Sequence, residues 1–200
     1  DAHVKFKNYD NAVRQLTILY NYLERSRPAS DSKLPDILIK LNKIFITRDD
    51  SESLDFEIQK YFKKIKEFAD KQKDKVISAQ YYHILGLYYQ KRDKLSSAIS
   101  NLRKGISEAQ DSAIAEVEID IIIDLIQIYL YGKKKSYSTA EKYLTRANEI
   151  VGNSDNLLQE LKIYDMLNDL YNQTDNLELA GYYNQQSQKL RFALKSRGLL

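Results

Sequence analysis

One phase, repeated along the chain, constrains what it can fold into. Between Tyr82 and Gly105, the residues Tyr82, Leu85, Gly86 and Tyr89 are followed by Ala98, Leu102 and Gly105. That spacing suits two consecutive antiparallel helices. Gly86 and Ala98 let their axes approach, while Tyr82, Leu85, Tyr89 and Leu102 fill the space around the crossing. The pattern returns as Leu41-Asn42-x-x-Phe45, Leu125-Ile126-x-x-Tyr129 and Leu167-Asn168-x-x-Tyr171, with successive leucines 44, 40 and 42 residues apart. The variation falls in the turn. The steps from the aromatic into the second helix are 13 residues (Phe45 to Ile58), 9 (Tyr89 to Ala98), 11 (Tyr129 to Ala140) and 9 (Tyr171 to Ala180). Outside the turn the register holds, since Ile65 to Leu85, Gly105 to Leu125 and Ala147 to Leu167 are each 20 residues.

An aromatic, a Leu-Gly pair, a Tyr and then Ala-x-x-x-large resembles the tetratricopeptide repeat. The period here exceeds the standard length of about 34 residues, so each helix pair is expected to be extended by more than a turn. The expected fold is all-α, a right-handed α-solenoid of about four and a half such hairpins, or about nine helices. It forms a single domain over 1–200, with a half repeat at 1–25 and repeats at about 34–72, 75–110, 112–151 and 155–197. Composition agrees, because six Gly and two Pro among 200 residues leave few helix breakers. The chain has no Cys, which excludes disulfides and thiolate metal sites and fits a reducing compartment. No apolar run approaches the roughly 18 residues of a membrane span, and no signal peptide opens the sequence. A formal charge of +3 makes no electrostatic case for nucleic-acid binding by this segment.

Residues 9–24 (Tyr9, Asp10, Asn11, Ala12, Leu16, Leu19, Leu23) match a second helix from its turn onward, with its first helix missing. This suggests a fragment whose effector domain lies upstream. Residues 26–35 read as a loop, with Pro35 in the first turn of the next helix. Lys60, Lys63, Lys64, Lys66, Lys71, Lys73 and Lys75, interleaved with acids, read as a solvated face. Gly152 to Asp155 read as a stop and cap. On the last helix, Tyr182, Leu190, Phe192 and Leu194 have no following repeat to cover them. Either Gln185, Gln186 and Gln188 cap that side, or it pairs with a second subunit.

The central helix, 112–131, is apolar almost all round apart from one stripe: Asp120, Asp124, Gln127 and Tyr131, at steps of four, three and four. A charged stripe on an otherwise buried helix must face water or a ligand, and first helices of a solenoid line its groove. Carried by register, the same face takes in Lys40, Lys43 and Thr47, then Gln80, His83, Leu87, Gln90 and Lys91, then Asp165, Asp169, Asn172 and Gln173. Amide and carboxylate side chains over an apolar floor suit the backbone of an extended peptide. The lysines lie towards the early hairpins and the aspartates further on, which would place a peptide's amino group or basic side chain at the acidic end.

Catalytic signals are missing. His3 and His83 have no HxxxH partner, there is no Gly-rich phosphate loop or nucleophile elbow, and the Asp120/Asp124 and Asp165/Asp169 pairs suit solvent-facing helix turns. No enzyme, cofactor or metal is expected.

Extended repeats and a Tyr/Asn/Lys-rich composition resemble the C-terminal domain of Gram-positive peptide-responsive transcription regulators of the Rgg and PlcR type. The resemblance implies a cytosolic protein that binds a short signalling peptide in its groove and homodimerises, with DNA contacted only by an absent N-terminal domain. The carboxylate clamp of chaperone-tail receptors looks absent, because the matching turns carry Ile39 with Lys43 and His83 with Leu87. The alternatives are a scaffold for folded protein partners or a fragment of a Rap-type response-regulator phosphatase.

Overall fold

The computed structural model describes residues 2–26, 33–48, 53–112, 114–133, 135–152 and 156–200. Among them are nine helices and no strand. They are α1 (Ala2–Ser26), α2 (Lys33–Thr47), α3 (Asp55–Gln72), α4 (Lys75–Lys91), α5 (Leu95–Ser112), α6 (Ala115–Leu130), α7 (Tyr137–Val151), α8 (Leu157–Gln173) and α9 (Leu177–Ser196). Each packs on its neighbour within two compact units, Asp1–Ser112 and Ala113–Leu200. In the first unit, α1 to α5 pack consecutively and α2 also lies against α4. In the second, α7 packs on both α6 and α8, α8 on α9, and α6 meets α8.

The repeating phase becomes one hairpin geometry. Ile58, Ala98, Ala140 and Ala180, which open the second helices, are all buried, as are Ile65, Gly105, Ala147 and Ser187 seven residues on. Leu41, Leu125 and Leu167 are buried on the first helices, whereas Leu85 is half-buried. At the crossing of α4 and α5, a Cβ added to Gly86 would stand 2.6 Å from the Leu102 side chain and 3.4 Å from the Ala98 carbonyl oxygen. In the first hairpin the equivalent residue is Asn42, fully buried, and its Nδ2 donates to the equivalent carbonyl, Ile58 O, at 3.3 Å. The same backbone oxygen is therefore approached closely in one hairpin and hydrogen-bonded in the other.

Turn-length differences are absorbed without breaking the closure. The aromatic residue's carbonyl accepts from the residue ahead of the second helix at the same 2.9 Å in three hairpins: Lys94 N to Tyr89 O, Ser136 N to Tyr129 O and Asn176 N to Tyr171 O. The bond spans seven residues after Tyr129 and five after Tyr89 and Tyr171, so the two extra residues lie within the loop it closes. Three helix starts are satisfied by side chains, those of α4, α8 and α9: Asp74 accepts from Val76 N and Ile77 N, Asn156 from Gln159 N, and Asn176 from Leu179 N, whereas Leu54, Ile114 and Ser136 ahead of α3, α6 and α7 make no such bond. The cap of α8 is thus Asn156, while the expected signals at Asn153, Ser154 and Asp155 lie outside the described residues. Lys73, Asp93 and Asp175 turn the chain at positive φ between hairpin helices.

Three local expectations change. Tyr9 and Asp10 are not a turn, because α1 is one helix from Ala2 to Ser26. Among its described side chains the buried one is Tyr20, and Leu19, placed inward by register, is 44% exposed. On α9, Leu194 is fully buried rather than uncovered, whereas Tyr182 and Phe192 are exposed and Gln185 and Gln188 share that outer surface. Of the expected loop at 26–35, Ser26 and Lys33 to Pro35 are helical, with Pro35 in the first turn of α2, and residues 27–32 lie outside the described residues.

Two glycine substitutions separate close packing from helix propensity. Gly86→Ala forces the fully buried Leu102 to move and is expected to cost about 1–3 kcal/mol in urea unfolding. Gly181→Ala on α9, where an added Cβ meets nothing within 4 Å, is expected to stabilise by about 0.5–1 kcal/mol.

Candidate binding face on the first helices

In the second unit, α6 is buried on every side but one. Asp120, Gln127 and Tyr131 are exposed and Asp124 is half-buried, so the four polar residues form the water-facing stripe of a helix whose isoleucines and leucines are covered. Side chains from α8 tie that stripe in place. Gln159 Nε2 donates to Asp120 Oδ1 at 2.9 Å and to Glu116 O at 3.3 Å, and the Tyr131 hydroxyl donates to Asp169 Oδ2 at 2.5 Å. Burial first, and the Asp169 carboxylate second, raise the Tyr131 phenol above its ordinary pKa, so it stays a donor throughout the physiological range. Beside it, Tyr137 OH donates to Gln173 Oε1 at 3.0 Å.

Not every residue carried by register faces the same way. Asp165 is turned to α9, where it accepts from the buried Ser187 hydroxyl and pairs with the Arg191 guanidinium. Asn172 is exposed, and its amide donates to Asn168 O at 2.9 Å and Asn168 Oδ1 at 3.0 Å. The structure therefore pairs Tyr131 with Asp169 and, separately, Asp120 with Gln159, which the register did not select. A glutamine one turn into a first helix was the available signal, but its reach across to α6 depends on how α6 and α8 pack.

In the first unit the register picks out a drier face. His83 is only 6% exposed, and Leu87 is half-buried against the aromatic and aliphatic core around Ile58, Phe62 and Ile84. Gln80 and Gln90 are half-buried, and the Gln80 Oε1 is buried without a hydrogen-bond partner among the described residues. Lys40, Lys43 and Lys91 are exposed. Thr47 spends its hydroxyl on its own helix, donating to Lys43 O and Ile44 O at 3.0 Å. His3 lies outside the residues whose side chains are described.

Two polar clusters were not legible in the sequence. The Tyr20 hydroxyl donates to Glu24, and the Lys64 ammonium donates to both while lying over the Tyr20 ring, 5.0 Å from its centroid. These three line a cavity of about 250 Å³ with Leu34, Leu38 and Phe68. Lys64 is the exception in a lysine run that is otherwise exposed, as expected, at Lys60, Lys63, Lys66, Lys71, Lys73 and Lys75. In the other cluster, Asp55 accepts from Tyr88 OH at 2.7 Å and pairs with Arg92, whose guanidinium lies 3.8 Å from the Tyr88 ring centroid. On α6, Glu118 is buried and accepts from Arg146 Nε at 3.1 Å. Each cluster joins residues about 30 or more apart in sequence, which periodicity on a single helix cannot reveal.

The Lys64 hydrogen bond, then that of Tyr20, holds the Glu24 carboxyl below its usual 4.5. Its contribution is therefore present above the unfolded value and lost as pH falls through the lower folded value. Burial pulls the Lys64 ammonium down, but its bonds to Glu24 and Tyr20 prevail and hold it above 10.5, so that contribution is complete below 10.5 and lost only in more alkaline solution. Glu24→Gln is expected to lower stability by about 0.5–1 kcal/mol at neutral pH, a modest figure because both groups are partly solvated. The gap to the parent protein should close in acid, as followed by urea unfolding across the pH range.

These faces belong to a helical-repeat scaffold, an architecture suited to protein–protein interaction. Among the described residues, no helix is long and apolar enough to cross a membrane. Comparison with profiles of protein families, with curated proteins and with solved structures finds no match for this chain.

Proposed function

We propose that the chain is a non-catalytic protein-interaction module that takes an extended peptide segment on the polar face of α6 and α8. We read it further as the sensory part of a cytosolic, peptide-responsive transcription regulator of the Rgg and PlcR type, with DNA contacted by another domain. The observation that carries the reading is the stripe on α6. A helix covered on its other sides keeps Asp120, Asp124, Gln127 and Tyr131 at the surface, two of them fixed by bonds to α8. Side chains held before a ligand arrives lose little entropy on binding, so carboxylates and amides in fixed positions favour an extended chain bearing N–H donors or a basic side chain. Such a ligand would regulate only by binding two states of the attached effector unequally.

The expected ligand is a short linear peptide with a basic residue or free amino group towards Asp124 and Asp169. A fluorescence-polarisation screen of short peptides, followed by titration of the hits, tests this. Asp124→Asn/Asp169→Asn is expected to weaken basic peptides by about fivefold or more, corresponding to roughly 1 kcal/mol, and to leave uncharged peptides nearly unchanged. Equal loss for both classes, or no loss, would remove the polarity from the reading. Absence of any peptide ligand would leave the scaffold for folded partners.

A further inference from the structure

Three aspartates on α6 and α8 differ in how many of their oxygens are already engaged. Asp165 has both taken, Oδ1 by the Ser187 hydroxyl and Oδ2 by the Arg191 guanidinium. Asp120 and Asp169 are each engaged on one oxygen. Asp120 Oδ1 accepts from Gln159 Nε2 at 2.9 Å and Asp169 Oδ2 from the Tyr131 hydroxyl at 2.5 Å, and neither carboxylate makes another bond among the described residues. Asp120 is exposed and Asp169 half-buried, so the second oxygen of each is open to a ligand.

Both braces are neutral donors reaching over from the facing helix, Tyr131 from the end of α6 and Gln159 from α8. They occupy an acceptor and leave the negative charge in place. The Gln159 amide is held in one orientation, because Nε2 also donates to Glu116 O at 3.3 Å and turning it over would set Oε1 against two oxygens. It keeps that orientation although Oε1 is buried and finds no partner among the described residues. A guanidinium gains most from a carboxylate when two parallel N–H groups meet both oxygens, whereas an ammonium is a point charge that needs only one. To make the paired bonds here, an arginine would have to displace Tyr131 or Gln159. A lysine or an amino terminus would displace neither.

We propose that the face of α6 and α8 selects an ammonium group, from a lysine side chain or a peptide's amino terminus, over a guanidinium, and that Tyr131 and Gln159 set this preference. The proposal rests on the peptide reading above and narrows its ligand. The probes are fluorescein-labelled hexapeptide pools, randomised over uncharged residues, in which one position is fixed. Three pools have blocked termini and carry lysine, arginine or norleucine there; a fourth carries norleucine and a free amino terminus. In fluorescence polarisation the tighter of the two ammonium pools is expected to bind about fivefold or more tightly than the arginine pool. Whichever ammonium pool leads identifies the source of the group. Tyr131→Phe/Gln159→Met removes both braces without emptying the core, since Tyr131 is exposed and Gln159 half-buried. That variant should tighten the arginine pool to within about twofold of the leading ammonium pool and leave the latter nearly unchanged. Arginine bound as tightly as either ammonium pool by the parent protein, or a ratio that the variant does not alter, would overturn the proposal and leave the peptide reading standing. No binding by any pool, or blocked norleucine bound as tightly as the ammonium pools, would overturn both.

Discussion

The close approach of two helices at a small residue is the constraint on which the rest of the fold depends. At the crossing of α4 and α5 no room exists for a methyl group between Gly86 and Leu102, and the Ala98 carbonyl lies at van der Waals distance from where that group would stand. Such contact is achieved only where one partner gives up its side chain, and the gain is dispersion and exclusion of water over the length of both helices. The first hairpin solves the same problem differently. Asn42 fills the position with a polar side chain and satisfies part of it by donating to Ile58 O. A buried amide in this place is tolerated because it meets a backbone acceptor, although its Oδ1 finds no partner among the described residues.

Closure at the turn follows from the same geometry. Once the helices are held at a fixed separation, the distance from the last aromatic carbonyl to the residue opening the second helix is also fixed, so one hydrogen bond recurs at 2.9 Å in three hairpins of differing loop length. The extra residues after Tyr129 are taken up within the loop that bond closes and leave the register of α7 intact. Loop length and helix register are therefore separable in this protein.

The stripe on α6 shows how such a frame produces a surface. Packing covers most of the helix, and the residues left over are polar because an uncovered apolar residue would gain nothing there. Their bonds to α8 turn independent side chains into a fixed array, with Gln159 and Asp169 acting as lateral braces. Arg191 and Ser187 draw Asp165 out of that array, so one of the register-equivalent aspartates serves α9 instead.

Periodicity alone determined the helices, their pairing into hairpins and the small residue at the crossing of α4 and α5, because each depends on spacing along one or two consecutive helices. It also marked the α6 stripe, since a helix apolar on most of its surface leaves little freedom for where its charges point. The three-dimensional fold decided what spacing cannot encode. It buried His83, half-buried Gln80 and Leu87 on α4, exposed Leu19 while burying Tyr20 on α1, and joined Tyr20, Glu24 and Lys64. Those outcomes depend on the rotation of each helix about its axis and on which distant side chain lies opposite. A shift of a few tens of degrees, invisible to a pattern of period 3.6, moves a residue from water into the core.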